Sequence, residues 1–213
     1  MKLQPQFNDV DCYLKASDII DFGHMLSRKV TDVAYHIATY SNDEIDFIKN
    51  AYEYVRDKIS HSADIVGKTI TCKASEVLKA KEGICYSKSH LLAAILRCNS
   101  IPTGFCYQRL ILSDEVAPHL VLHGLNAVYI EKLQKWIRLD ARGNKLGVDA
   151  QFSLNEEKLA FTVRRDMGEE DIPVIYAEPD KLVIRILENS KNFEALWASL
   201  PTEIYSGQFD KVK

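Results

Sequence analysis

Three residues of this chain have the types that acyl chemistry at a thiol requires: Cys85, His123 and Asp140. Cys85 follows Gly83-Ile84 and opens a run, Tyr86 to Arg97, in which Leu91, Leu92, Ile95 and Leu96 gather on one apolar side. A thiol at the start of a helix faces the positive end of the helix dipole and the unpaired amides of the first turn. Both favour thiolate over thiol. The same amides, that of Cys85 included, are suitable donors to an oxyanion. A thiolate also needs an imidazole, to pair with it and to protonate a departing amine. His123 stands mid-strand in HLVLHGLNAVYI, and Gly124 beside it leaves room for close approach of substrate or backbone. The imidazole in turn needs a group that fixes its tautomer and stabilises its charge. Asp140 closes the next apolar segment, KWIRLD, and a hairpin between the two segments brings it near His123. In strand period two, residues 123, 125, 127 and 129 share a face, as do 136, 138 and 140. Register, which the sequence leaves open, decides whether those faces coincide.

The elements that must position these groups are legible on both sides. Residues 17–40 read as helical in part, with Ser17 as a cap and Ile19, Ile20, Met25, Leu26, Val30 and Val33 near helical spacing. A second helix starts at Asp43, capped by Ser41-Asn42-Asp43, with Ile45, Phe47, Ile48, Ala51, Tyr52, Val55 and Ile59 as its stripe. A short helix over 74–80 ends at Lys81-Glu82-Gly83, and Asn99 to Pro102 stops the cysteine helix. Residues 103–113, 119–130 and 135–140 then read as strands, the last two joined by the short loop Glu131–Gln134. Helices followed by antiparallel strands predict an α+β fold. Beyond Asp140 the pattern weakens. Residues 141–148 read as loop, 161–165 as a possible strand, and 179–187 and 193–200 as helices. The charged cluster Arg164-Arg165-Asp166 with Glu169-Glu170-Asp171 reads as a solvated loop, and the stretch 148–171 as a lid or a packed periphery.

Most lone cysteines in a reducing compartment are packing residues, and Cys12, Cys72, Cys98 and Cys106 are read that way. Cys98 falls at the end of the helix that Cys85 begins, where the dipole has the wrong sign for a thiolate. His119 reads as a strand-entrance residue, at the surface or behind the site. His90 points away from Cys85, and His24, His36 and His61 read as ordinary surface or satisfied residues. The cysteines form no CxxC pair and the histidines no zinc spacing, so neither a metal nor another cofactor is expected.

The bulk composition agrees with a soluble enzyme or small-molecule binder. The 213 residues are 46% apolar and 27% charged, with a formal net charge of -3. That balance gives no electrostatic footprint for nucleic acid or anionic lipid. The N-terminus lacks the apolar core of a secretory signal, and no stretch approaches the roughly 20 apolar residues of a membrane span. A single domain over 1–213 and a cytoplasmic location follow as expectations.

Three blocks, in order, resemble the transglutaminase-like superfamily within the wider papain-like group. AYEYVRDKISHS (51–62) is similar to the helix that precedes the core in bacterial members. ASEVLKAKEGICYSKSHLLAAILRCNSIPTGFCYQ (74–108) resembles the cysteine-helix block, including the Ile101-Pro102 turn into the first strand. HGLNAVYIEKLQKWIRLDARGN (123–144) resembles the histidine–aspartate block, with Trp136 and Asp140 in the expected places. The resemblance implies a papain-like core over about 45–145, a helical lead-in over 1–44 and a C-terminal extension over 146–213. It implies Cys85 as nucleophile, His123 as general base and acid, and Asp140 as orienting carboxylate. Leu125, where the family commonly has an aromatic residue, implies an altered pocket wall. No residue clearly matches the side-chain oxyanion donor of some papain-like enzymes; Tyr52, Tyr54, Tyr86 and Gln108 are the candidates. The expected activity is hydrolysis of a peptide, amide or acyl substrate through a thioester. Acyl transfer to an amine, a non-catalytic binding module and a redox-sensing thiol at Cys85 are the alternatives.

Overall fold

The computed structural model describes residues 1–22, 28–65, 67, 69–112 and 119–205. Along them the chain forms β1 (Gln4–Pro5), α1 (Arg28–Thr39), α2 (Glu44–Lys58), β2 (Ser60–His61), α3 (Ala74–Ala80), β3 (Glu82–Gly83) and α4 (Cys85–Cys98). The second half adds β4 (Thr103–Ile111), β5 (Leu120–Ile130), β6 (Lys135–Leu139), β7 (Glu170–Tyr176), α5 (Lys181–Asn189) and α6 (Phe193–Ala198). The fold is α+β, as expected.

The helical layer follows the predicted stripes. Asp43 caps α2 by accepting the Asp46 N–H at 2.9 Å, and Phe47, Ile48, Ala51, Tyr52, Val55 and Ile59 are buried while Ile45 is only partly so. Ser17 does not start a helix. Its Oγ accepts the Ile20 N–H in a bend, and α1 begins only at Arg28; Met25, Leu26 and His24 lie outside the described residues. Helix α4 is the hub, packed against α1, α2, α3 and β5. Every residue from Tyr86 to Arg97 is buried, so this helix has no solvated face and the one-sided stripe understates its burial.

One sheet, in the order β1-β7-β4-β5-β6, packs on that layer, with β1 parallel to β7 and the other neighbours antiparallel. Asn126 on β5 donates to Ser89 O of α4 at 3.1 Å and to Gly104 O of β4 at 3.2 Å, fixing the sheet against the helix. At the far end of α4, buried Arg97 donates to the carbonyls of Lys15, Thr103 and Ala177. The hub helix is therefore tied to the sheet at both ends.

The sequence reading errs after Asp140. Residues 161–165 form no strand, and the strand lies in the acidic segment read as a solvated loop: β7 fills the place between β1 and β4. Its charges are paired, which is why the sheet accepts them. Asp171 accepts Arg138 Nη1 at 2.7 Å and Gln108 Nε2 at 2.9 Å, and buried Glu169 takes the Ile111 N–H and the Arg164 side chain. Pro173, which has no N–H to give, falls where the β4–β7 register shifts. Paired charge and a mid-strand proline together mask the alternation that reveals a strand.

Candidate active site

The site begins with a helix start that lacks a cap. Ile84 is the N-cap of α4 and has no side-chain acceptor, so its position leaves first-turn amides beside Cys85 without a side-chain partner. The short parallel pair β2–β3 fixes the approach: His61 stands opposite Gly83, and Ser62 N–H donates to Gly83 O at 3.1 Å. Cys85 is half-buried, whereas Cys72 and Cys106 are buried thiols pushed up to about 12 by loss of water.

The β5–β6 register answers the question the sequence leaves open. Asn126 pairs with Leu139, so one step further Asp140 comes level with Leu125 and lies diagonal to His123 on a shared face. Nε2 of His123 meets Oδ2 of Asp140 at 2.8 Å, and the Cys85 side chain lies close enough to the imidazole to favour its protonated form. Burial disfavours the imidazolium, but the charges and hydrogen bonds of Asp140 and Cys85 outweigh it and raise His123 to about 10. Asp140 is fully buried, which alone would raise its value. His123, Ala160 N–H at 3.0 Å and Arg142 N–H at 3.1 Å overcome that burial and hold it below the usual carboxylate range.

Cys85 and His123 open onto a cleft of about 320 Å³. One wall is polar, with His61, Arg142 and Lys145, the two cations both engaged by Asp64. The rest is apolar, including Leu110, Leu112, Val121, Trp197 and Leu200. The C-terminal helix α6 thus has a job that its sequence does not announce, as does the stretch before β7. Phe161 sets its ring edge-on to His123, with centroids 5.0 Å apart at 86°.

Several expectations are corrected here. Gly124 does make room, but for Tyr86: a Cβ there would lie 2.7 Å from Tyr86 Cδ1. Leu125 packs with Tyr13, Cys106 and Ile175, and so does not line the cleft. The four candidate oxyanion donors are occupied or lie outside the cleft lining. Tyr86 gives its hydroxyl to Leu122 O, Gln108 bonds Asp171 and Tyr54 receives Lys81 Nζ, while Tyr52, its hydroxyl buried without a partner under the Arg56 guanidinium, does not reach the cleft. His61 is neither a surface residue nor a satisfied one: it is buried in the cleft wall, and its Nδ1 has no hydrogen-bond partner. The two-residue strand that turns it inward is too short to leave a periodic signal. His119 and His36 are exposed, and His90 bonds Cys72 O at 2.7 Å, away from Cys85. Lys88, whose burial the sequence does not signal, gives its Nζ to Ile59 O at 2.5 Å and Arg56 O at 3.3 Å. Among the described residues no helix is long and apolar enough to cross a membrane.

Among solved structures, the chain is similar to a putative cysteine protease from Cytophaga hutchinsonii, with 21% identity and a TM-score of 0.49, over 64% of this chain and 43% of that one. It is also similar to the periplasmic domain of TgpA from Pseudomonas aeruginosa bound to ethylmercury, with 14% identity and a TM-score of 0.43, over 57% of this chain and 46% of that one. A putative protease from Parabacteroides distasonis matches at 14% identity and a TM-score of 0.38, over 60% of this chain and 25% of that one. The chain therefore spans less than half the length of each of these proteins. Comparison with curated protein sequences gives no match. The model of the transglutaminase-like superfamily matches residues 31–141, more than half of the sequence, and the chain belongs to that superfamily.

Proposed function

We propose that this protein hydrolyses amide or peptide bonds through a thioester on Cys85. One observation carries the reading: His123, hydrogen-bonded to buried Asp140, faces the same cleft as a cysteine at an uncapped helix start. In the resting pair His123 is protonated and Cys85 is thiolate. The sulfur attacks the substrate carbonyl carbon, forming the C–S bond and sending the carbonyl π electrons to oxygen, where first-turn amides of α4 receive the charge. Collapse re-forms the carbonyl and breaks the C–N bond, and His123 gives its proton to the leaving amine. Neutral His123 then takes a proton from water as that water attacks the thioester. The sulfur leaves as thiolate, the acid is released, and the resting ion pair returns. The apolar lining of Leu110, Leu112, Val121, Trp197 and Leu200 favours an apolar acyl group.

Alkylation of each cysteine by iodoacetamide between about pH 5 and 9, followed by peptide mass spectrometry, tests the pair, because a free thiol near 8.5 is largely unreactive at the acid end. Cys85 alone should label quickly at pH 6, and His123→Ala should abolish that advantage. Labelling of Cys85 no faster than Cys12 or Cys98 would sink the reading.

A further inference from the structure

Side-chain donors can join backbone amides in an oxyanion hole, and the four side chains that the sequence offers for the task are occupied or lie outside the cleft lining. We propose that His61 is that donor, giving a ring N–H to the oxyanion formed when Cys85 is acylated. This inference rests on the thiolate reading of Cys85 and goes beyond it, because the Cys85–His123–Asp140 set operates without naming any such group.

Three observations converge on the assignment. First, His61 is 9% exposed and lines the same cleft as Cys85 and His123. Second, its backbone is held in place: the β2–β3 ladder pairs it with Gly83, two residues before the nucleophile. The ring is thus carried by the same local unit that positions the first turn of α4. Third, it is a buried polar side chain without a hydrogen bond. Nδ1 is enclosed and has no partner, so Nε2 is the nitrogen left to face the cleft. A buried N–H without an acceptor is rarer than an under-used acceptor, which places the single proton of the neutral ring on Nε2. A donor aimed into a catalytic cleft and unused in the resting protein is what transition-state binding requires, since an interaction made only with the oxyanion raises the rate of acylation.

The electrostatics are consistent with a donor and exclude a second base. Burial first, then the Arg142 charge, depresses His61 to about 3, with Asp64 opposing and Lys88 and His123 adding to the effect. Between about pH 3 and 10 the ring is therefore neutral while His123 is protonated. It donates a hydrogen bond without transferring a proton, and no atom changes hands at His61 in the step.

The test separates stabilisation of an oxyanion from stabilisation of the thiolate. Acylation of Cys85 by p-nitrophenyl acetate, read as a pre-steady-state burst, passes through a tetrahedral oxyanion. Alkylation by iodoacetamide at pH 6 does not. His61→Met, which fills similar space and has no donor, should slow acylation by about 100-fold, the usual loss for one oxyanion donor, and change alkylation by less than about twofold. His61→Gln, which restores an N–H, should recover most of the acylation rate. Unchanged acylation in His61→Met, or an equal fall in acylation and alkylation, would overturn the assignment, the latter because it points to thiolate stabilisation or structure. His61→Leu serves as the donor-free variant if the Met variant loses its native circular dichroism. Failure of the wild-type protein to alkylate rapidly at pH 6 would overturn the thiolate reading itself, and is a separate result from the His61 comparison.

Discussion

Asp140 lies diagonally across the β5–β6 ladder from His123, and its Oδ2 meets Nε2 at 2.8 Å and also accepts the Ala160 N–H, while Oδ1 accepts the Arg142 N–H. The carboxylate is thereby oriented from three directions before any substrate arrives.

That relationship predicts a pH-dependent cost for Asp140→Asn. His123 in the folded protein is raised to about 10, above its ordinary value of about 6.5, so its contribution is fully present below that ordinary value and fades toward pH 10. Asp140 is shifted the other way, and its contribution is present above about 3.9 and lost in more acid solution. Asp140→Asn should therefore cost about 3–5 kcal/mol between about pH 4 and 6.5, and less at pH 9, as measured by urea unfolding. A cost that does not shrink at pH 9 would count against the ion pair.

Gly124→Ala tests how α4 is seated on β5. The new Cβ would lie 2.7 Å from a Tyr86 ring that is buried and anchored through its hydroxyl to Leu122 O. Overpacking of this kind costs about 1–3 kcal/mol. Because Tyr86 follows Cys85 in the chain, labelling of Cys85 at pH 6 should slow as well, while Cys12 is unaffected.

Lys88→Met probes the buried cation behind the site. Burial, with Arg142 next, lowers Lys88 to about 7 from a free value of about 10.4. Between those values the unfolded chain binds the proton and the folded one does not, so wild-type stability gains from this group as pH rises. The variant loses that gain, and Ile59 O and Arg56 O lose their donor. Its deficit relative to wild type should grow from pH 7 to pH 9, by up to about 1.4 kcal/mol per unit, in paired urea titrations.

Phe161→Ala removes the ring that stands edge-on to His123. The aromatic contact alone is worth about 0.5–1.5 kcal/mol. The more specific consequence is access of water to the His123–Asp140 hydrogen bond. A low-field proton resonance from that bond should be visible by NMR in the wild type, broaden in Phe161→Ala and persist in Phe161→Leu.

The sequence by itself determines the elements that hold the candidate site. The stripe Phe47 to Ile59, the helix opened by Cys85 and the hairpin from Leu120 to Leu139 are local patterns, because burial of one helix face or strand alternation writes itself into neighbouring residues. Cys85, His123 and Asp140, the candidate site residues, are legible for the same reason: each sits at a helix start, mid-strand or strand end that the local pattern reveals. What only the tertiary structure decided depends on partners distant in the chain. The β5–β6 register aligns His123 with Asp140, and it follows from pairing rather than from composition. Strand β7 hides its place because its Asp171 and Glu170 are paired with Arg138 and Arg109. The sequence shows those charges but not their pairing. His61 reaches the cleft through a two-residue ladder with Gly83, too short for periodicity, and Phe161 and Trp197 arrive from a segment whose pattern gives no site. Local hydrophobic spacing encodes elements, whereas the burial of polar groups is settled only when distant segments supply their partners.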